Sequence, residues 1–299
     1  MEPIIFSLPG NEQLALALSG KANINTGSVE IRNFPDGETY IRFDTAVQDK
    51  YVFLVCCLDQ PNDKVLPLLF MAQTAKRLGA IKICLITPYL PYMRQDKEFK
   101  HGEAVTSVLF ANCLSSGIDC LVTIDPHLHR IHRLSEIYSI PQIHTLHSIE
   151  CMSTWIINNI KSPYIIGPDE ESRQWVSEVA RLTQAGFVIM QKTRYGDKNV
   201  EISIPAFDAS GKTPVFVDDI ISTGTSILTA IRQLEVRNIS NPVCVCVHAL
   251  FGRSIYENLL GAGARKIVSC NTIPHFTNEI DITDLIANQM KQILDDQLA

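Results

Sequence analysis

The sequence lacks several features that would assign the chain to a specialised class of protein. Its nine cysteines are scattered and include no C-x-x-C pair, which favours reduced thiols in a cytoplasmic protein over a disulfide framework. No apolar run approaches the roughly 20 residues of a membrane-spanning helix, and MEPIIFSLPG is unlike a signal peptide, so no membrane partner is expected. The formal net charge of −6 argues against a general nucleic-acid binder.

Short apolar runs alternate with helical patterns along the whole chain. Runs such as YVFLVCCL, CLVTID and VCVCVHAL are apolar on both faces, as buried parallel strands are. Stretches such as TSILTAIRQLEVRN have helical periodicity and separate these runs. The pattern predicts an α/β fold whose mostly parallel sheets are covered by helices.

The order of strands and helices occurs twice, and 299 residues are enough for two domains. We predict domains at residues 1–143 and 144–299, with a C-terminal segment that could pack back on the first domain. In open α/β sheets ligands bind beyond the carboxyl ends of the strands. The polar residues that follow each strand are therefore the candidate functional residues.

One such stretch is VDDIISTGTS, where two acids end an apolar strand and a small polar loop begins a helix. Backbone N–H groups and hydroxyls of residues 222–226 could hold a phosphate at the helix N-terminus. The loop has no G-K-[ST] and is not a Walker A loop. Asp218 and Asp219 could accept hydrogen bonds from sugar hydroxyls or hold Mg²⁺. Together they suggest a ribose phosphate ligand; the alternative is an ordinary turn with Ser and Thr as helix caps.

Two segments of the first half could bind a nucleotide. In Phe34-Pro35-Asp36-Gly37-Glu38 the ring could stack on a base and the acids could accept from an exocyclic amine; a plain hairpin turn is the alternative. Arg94 and Gln95 follow the strand ICLITPYL, and arginine suits bidentate phosphate binding. A solvated charge run remains the alternative there.

Further candidates follow other strands. Asp125 and His127 follow CLVTI, where a carboxylate and an imidazole can hold a cation, although a zinc site would need more histidine or cysteine ligands. For His129 and His132 we favour a capping or surface role. Lys192 and Arg194 follow GFVIMQ, at the start of a polar stretch that continues as TRYGDKNVEIS, which we predict to be a mobile loop able to close over a polyphosphate.

Five segments, in order, resemble the ribose-phosphate pyrophosphokinase family: NFPDGETYIRF, PYMRQDKEFKHGEAVTS, TIDPHLHR, GPDEESR with QKTRYGDKNVEISI, and VDDIISTGTS. The resemblance covers nearly the whole chain. It implies two tandem type I phosphoribosyltransferase-like domains. It also implies transfer of the β,γ-diphosphoryl group of Mg-ATP to the 1-hydroxyl of ribose 5-phosphate, giving phosphoribosyl diphosphate and AMP.

The resemblance also implies roles for individual residues and a homo-oligomer built from dimers, with the adenine site shared across a subunit interface. The ATP-binding residues are expected to be Phe34, Asp36, Gly37, Glu38, Arg94 and Gln95. The catalytic residues are expected to be Lys192 and Arg194. Ribose 5-phosphate is expected to contact Arg194, Asp218, Asp219, Ser222, Thr223, Gly224, Thr225 and Ser226. Mg²⁺ is expected at Asp125, His127 and Asp169.

Two other functions compete with this interpretation. A phosphoribosyltransferase that consumes phosphoribosyl diphosphate would explain VDDIISTGTS, but not the segments at Phe34–Glu38, Arg94-Gln95 and Lys192–Arg194. A non-catalytic regulatory paralogue would be expected to lose one or more of the charged residues named above, and all of them are present.

Overall fold

The computed structural model of the chain describes residues 2–195 and 199–296, without the side chains of residues 171 and 192–202. Contacts between residues divide the chain into two compact units. The first contains the residues up to Leu146 and those from Thr283 onward, and the second is His147–Ile282. Each unit has its own sheet.

The first unit has a five-stranded parallel sheet in the order β1-β4-β5-β6-β7 and a two-stranded antiparallel ribbon, β2-β3. Its elements are β1 (Glu2–Ser7), α1 (Glu12–Ala22), β2 (Val29–Asn33), β3 (Thr39–Phe43), β4 (Lys50–Val55), α2 (Asn62–Arg77), β5 (Lys82–Ile86), α3 (Thr106–Ser115), β6 (Cys120–Ile124), β7 (Gln142–Leu146) and α8 (Thr283–Asp295).

The second unit has a six-stranded parallel sheet in the order β15-β14-β13-β12-β8-β9 and a second antiparallel ribbon, β10-β11. Its elements are α4 (Ile149–Asn159), β8 (Pro163–Gly167), α5 (Arg173–Thr183), β9 (Gly186–Ile189), β10 (Gln191–Tyr195), β11 (Asn199–Ser203), β12 (Thr213–Ile221), α6 (Thr225–Val236), β13 (Val243–Ala249), α7 (Arg253–Gly261), β14 (Lys266–Cys270) and β15 (Asn278–Ile280).

The burial pattern follows from the sequence pattern. Strands β6 and β13 are buried at every position, because helices cover both faces of a parallel sheet. In α2 the buried residues Leu68, Met71, Ala72 and Ala75 recur at helical spacing and form one stripe against the sheet. The predicted α/β architecture, two units with parallel sheets flanked by helices, is confirmed.

One local prediction was wrong. We expected TRYGDKNVEIS to be a loop, but its described residues belong to β10 and β11, which pair antiparallel from Gln191 opposite Ser203 to Tyr195 opposite Asn199. Tyr195, Val200 and Ile202 alternate with polar residues, which is a weak indication of a strand. We predicted a loop because most residues of the segment are polar.

The cysteines and helices also agree with the composition. All nine cysteines are free thiols, and most are buried in the two sheets. Within residues 2–195 and 199–296, no helix has both the length and the apolar character required to cross a membrane.

Candidate functional site

The second sheet reverses its strand order beside β8. From β8 the chain continues to the neighbouring edge strand β9 and then returns to β12 on the other side of β8. Such a reversal opens a crevice beyond the carboxyl ends of the two central strands, where α/β proteins bind ligands. Asp169 follows β8, and Asp218 and Asp219 lie near the end of β12, so the fold brings these three predicted site residues to this crevice.

The three carboxylates are close enough to affect one another. Partial burial and the negative charges of Asp219 and Asp169 raise the pKa of Asp218 well above its ordinary value. The carboxylate of Asp169 accepts a hydrogen bond from the backbone N–H of Ser172 at 3.2 Å, which fixes the turn after β8. A ligand that supplies hydroxyl donors or positive charge would relieve the repulsion in this cluster.

The loop after β12 begins helix α6 in the way that the sequence predicts. Gly224 has φ +68°, and a Cβ there would lie 3.0 Å from Cγ2 of Ile255, so only glycine fits. No described side chain caps the N-terminus of α6, and the hydroxyls of Thr223 and Thr225 lie 3.1 Å apart on the exposed side. With the first N–H groups of a 12-residue helix, residues 222–226 can surround an anion.

Asp125 lies at the carboxyl end of the first sheet, in an unusual backbone conformation. It follows β6, is 8% exposed, and has φ +37°. Its N–H donates to the carbonyl of Leu146 at 3.0 Å. Backbone strain of this kind clusters at functional sites. His127 follows on the same loop, half-buried, with its ring centroid 3.9 Å from that of His129.

A salt bridge that the sequence did not predict joins two of the candidate segments. The guanidinium of Arg130 contacts the carboxylate of Asp96 at 2.9 Å, and its backbone N–H donates to the same carboxylate at 3.3 Å. The pair ties the loop after β6 to the segment that carries Arg94 and Gln95. Arg94 is exposed.

Gln95 is already engaged within its segment. Its Nε2 donates to Glu103 at 3.2 Å and to the carbonyl of Lys97 at 3.3 Å. Backbone N–H groups of Lys100 and Phe99 also donate to Glu103 and lower the pKa of its carboxyl. A contact between Gln95 and a nucleotide would therefore have to share or replace these hydrogen bonds.

Residues 34–38 form the turn of the β2-β3 ribbon. This agrees with the alternative interpretation of the segment as a hairpin turn. The N–H of Phe34 donates to the carbonyl of Glu38 at 2.7 Å, and the carboxylate of Asp36 accepts from the N–H of Glu38 at 3.1 Å. Gly37 has φ +94°, which the turn requires. Being a hairpin turn does not exclude a ligand: the ring of Phe34 remains 41% exposed.

Lys192 and Arg194 both lie on β10, opposite Ile202 and Val200. Their side chains lie outside the described part of the chain, as does Gly196 altogether. The roles predicted for both residues stay predictions.

A cavity of about 590 Å³ lies away from these residues, at the amino ends of the second sheet's strands. Its lining includes Phe207, Asp208, Lys212 and Arg237, which precede β12 or follow α6. None of the predicted site residues lines it. Among the described residues, no group of three or more His, Cys, Asp or Glu side chains could by itself hold a metal ion.

Comparison with known proteins assigns both halves of the chain. Residues 3–117 match the family described as the N-terminal domain of ribose phosphate pyrophosphokinase, and residues 134–284 match the phosphoribosyl transferase domain. The chain is 32% identical to the ribose-phosphate pyrophosphokinase of Sulfurisphaera tokodaii, over 86% of this chain and 88% of the relative. It is also 32% identical to that of Methanothermobacter thermautotrophicus, over 96% of this chain and 100% of the relative.

A solved structure supports the fold independently. The phosphoribosylpyrophosphate synthetase of Mycobacterium smegmatis superposes with a TM-score of 0.86 over 99% of this chain and 100% of that chain, at 22% sequence identity. This confirms the expected pair of phosphoribosyltransferase-like units. The two family models and the two relatives at 32% identity show that the chain belongs to the ribose-phosphate pyrophosphokinase family.

Proposed function

We propose that the protein is a ribose-phosphate diphosphokinase. It transfers the β,γ-diphosphoryl group of ATP to the 1-hydroxyl of ribose 5-phosphate and releases phosphoribosyl diphosphate and AMP. Its membership of the family supports the reaction class. The observation that carries the assignment to residues is the crevice of the second sheet, where three carboxylates lie at the strand ends and an uncapped helix N-terminus follows one of them.

The ends of this crevice match the two ends of ribose 5-phosphate. The loop of residues 222–226 offers N–H groups and hydroxyls to the 5-phosphate. Asp218 and Asp219 accept hydrogen bonds from the ring hydroxyls. A hydroxyl donor satisfies a protonated or an ionised carboxyl, so the raised pKa of Asp218 suits a sugar better than a second anion.

The nucleotide is assigned to the first unit. Phe34 stacks on the base, the turn that contains Asp36, Gly37 and Glu38 binds its edge, and Arg94 with Gln95 binds the phosphates. The exposed ring and the exposed guanidinium support these roles, because neither is committed to the core. An adenine site completed by a second copy would require a homo-oligomer built from dimers.

The donor chemistry at the strand ends fits Mg²⁺. Mg²⁺ is a hard cation that takes one or two carboxylates and completes its shell with water and phosphate oxygens. Asp125 of the first unit and Asp169 of the second are each proposed to bind Mg²⁺ through a carboxylate, and His127 is assigned a contact through water. When bound, the ion would neutralise charge on the transferring phosphates.

Lys192 and Arg194 are proposed to stabilise the charge of the transferring group, with Arg194 also contacting ribose 5-phosphate. Both residues lie on β10, which pairs antiparallel with β11. A cytoplasmic location fits substrates of central metabolism and stays a prediction.

The test is a direct assay with ATP, Mg²⁺ and ribose 5-phosphate that quantifies AMP and phosphoribosyl diphosphate. We expect AMP only when the sugar phosphate is present. A protein that consumes phosphoribosyl diphosphate with a nucleobase would instead be a phosphoribosyltransferase. A protein that binds ATP but releases no AMP would be a regulatory paralogue.

A further inference from the structure

The β2-β3 ribbon has two faces of different chemistry. Val29, Ile31, Ile41 and Phe43 pack against the core of the first unit and anchor the ribbon. Alternate positions point away from the core, as strand geometry requires. Of these, Glu30 and Arg32 on β2 lie directly opposite Arg42 and Tyr40 on β3.

The outward face carries a chain of ion pairs that ends at the turn. Asp44 contacts Nε of Arg42 at 2.9 Å, and Nη2 of Arg42 contacts Glu30 at 3.1 Å. Glu30 in turn contacts Nε of Arg32 at 3.1 Å. The Glu30–Arg32 pair at the end of this chain keeps the guanidinium of Arg32 next to residues 34–38.

Arg32 contacts both aromatic rings at this end of the ribbon. Its Cζ lies 4.1 Å from the ring centroid of Tyr40 and 5.0 Å from that of Phe34. The two rings are nearly perpendicular, with centroids 6.0 Å apart. A cation within about 6 Å of an aromatic face is attracted to it. Phe34 is 41% exposed, so packing against the core does not fix its ring. Among the described residues, its ring contacts are Arg32 and Tyr40.

We propose that Arg32 is a positioning residue for the nucleotide: it occupies one face of Phe34 and holds the other face ready for a base. The inference rests on the proposed function of Phe34. A ring has two faces, and a guanidinium over one leaves the opposite face for stacking. Fixing the ring before binding removes part of the entropy cost that binding would otherwise carry.

The primary test compares Arg32→Ala with the wild type. We expect the Michaelis constant for ATP to rise about two- to fivefold, the range of an exposed cation–π contact. The turnover number and the Michaelis constant for ribose 5-phosphate should change by less than about 1.5-fold, because the residue acts only through the base site. Arg32→Lys should recover part of the loss, since it keeps the charge but not the planar group.

Arg42→Ala is the matched control. Arg42 is an arginine on the same face of the same ribbon, with the same Glu30 as partner, but it pairs with the carboxylates of Glu30 and Asp44 rather than lying over the rings of Phe34 and Tyr40. We expect its Michaelis constant for ATP to match the wild type. Thermal unfolding of both variants checks that the protein remains folded, as expected because the opposite, partly buried face of the ribbon is unchanged.

A double-mutant cycle separates positioning from direct binding. If Arg32 acts through Phe34, then Arg32→Ala should have almost no further effect on ATP affinity in a Phe34→Ala background. Additive losses, or equal losses in Arg32→Ala and Arg42→Ala, would overturn the proposal. ATP binding is also titrated directly, without the sugar. An inactive wild type that still shows the Arg32–Phe34 coupling would refute only the proposed reaction, whereas an active enzyme without coupling would refute only the role of Arg32.

Discussion

The two parallel sheets differ in one respect that decides where a ligand can bind. In the first sheet the described strands follow one another in chain order, β1-β4-β5-β6-β7, without a reversal. In the second sheet the order reverses between β9, β8 and β12. A reversal sends the helices after neighbouring strands to opposite faces, which leaves an open crevice at the strand ends. Strand order therefore opens a crevice in the second sheet that the described strands of the first sheet do not form by reversal.

The residues at the carboxyl ends of the strands also differ between the two sheets. The second sheet presents Asp169, Asp218 and Asp219 together, and burial with the charges of the two neighbours raises the pKa of Asp218. The first sheet presents Asp125 in a left-handed conformation, with His127 packed on His129. Each unit also carries an antiparallel ribbon, so the comparison extends to the two ribbons.

The largest effect is expected on the second ribbon. Lys192→Ala should lower kcat by roughly 10²–10³, the loss typical of one well-placed electrostatic donor. Dissociation constants for ATP and ribose 5-phosphate should change by less than about tenfold, because the contact would form mainly in the transition state. AMP release measures kcat, and direct titration measures both affinities.

Lys212→Ala is a suitable control for that variant, because Lys212 is an exposed lysine of the same unit at the opposite ends of the strands. It should keep normal turnover. Near-normal turnover in Lys192→Ala as well would remove Lys192 from the mechanism.

The crevice of the second sheet is tested by Asp218→Asn. It should weaken ribose 5-phosphate binding by about 10- to 100-fold, as loss of a charge-assisted hydrogen bond does, while ATP affinity changes less. Asp208 is an exposed acid of the same unit at the amino ends of the strands, so Asp208→Asn should leave both affinities unchanged. Equal losses for the two substrates in Asp218→Asn would contradict the assignment of the sugar to this crevice.

The first ribbon is tested by Phe34→Ala. Base–aromatic stacking contributes about 1–3 kcal/mol in nucleic-acid complexes, so the Michaelis constant for ATP should rise by roughly 5- to 100-fold. The constant for ribose 5-phosphate should remain almost unchanged. Phe70→Ala, which removes a ring of similar exposure from helix α2, should affect neither. If the constant for ATP does not move, the ring of Phe34 has only a structural role.

The smallest expected effect is on stability and depends on pH. An unfolded aspartate has a pKa of about 3.9, and the folded protein raises the pKa of Asp218. Between these two pKa values the folded state holds a proton on Asp218 that the unfolded state has lost. The stability that this proton contributes to the folded state is therefore fully present below the unfolded pKa and is lost as pH rises through the raised folded pKa. The Asp218→Asn variant has no carboxylate to ionise in this buried, negatively charged surrounding. It should therefore raise the melting temperature of the substrate-free and Mg²⁺-free protein at pH 8 by about 2–4 °C.

The same difference in melting temperature should shrink towards zero below about pH 3, where the wild-type carboxyl is protonated in both the folded and the unfolded state. Asp49→Asn is the control, since Asp49 is exposed at φ +59°, a conformation that asparagine also tolerates. A stability difference that is the same at both pH values would mean that Asp218 carries no electrostatic penalty.

Local features of the site could be predicted from the sequence because they depend on neighbouring residues. The loop that follows β12 needs a glycine at residue 224 for its left-handed turn, and the hydroxyls around it mark the beginning of a helix. Apolar runs between helical segments were enough to predict parallel sheets. We predicted a loop where β10 and β11 form a ribbon, because the residues are mostly polar and a polar strand has the composition of a loop.

What the sequence by itself determined is therefore the class of fold and the short motifs at the strand ends, since periodicity and turn chemistry are properties of adjacent residues. Only the tertiary structure decided which of these motifs meet. Strand order brings Asp169 beside Asp218, almost fifty residues later, and pairs Asp96 with Arg130. Tertiary packing also decided in favour of the possibility that the C-terminal segment packs on the first unit, where α8 lies against α1, and it sets Arg32 beside two rings. Periodicity reports which face of an element is buried but not which element covers it, because that choice depends on packing between distant parts of the chain.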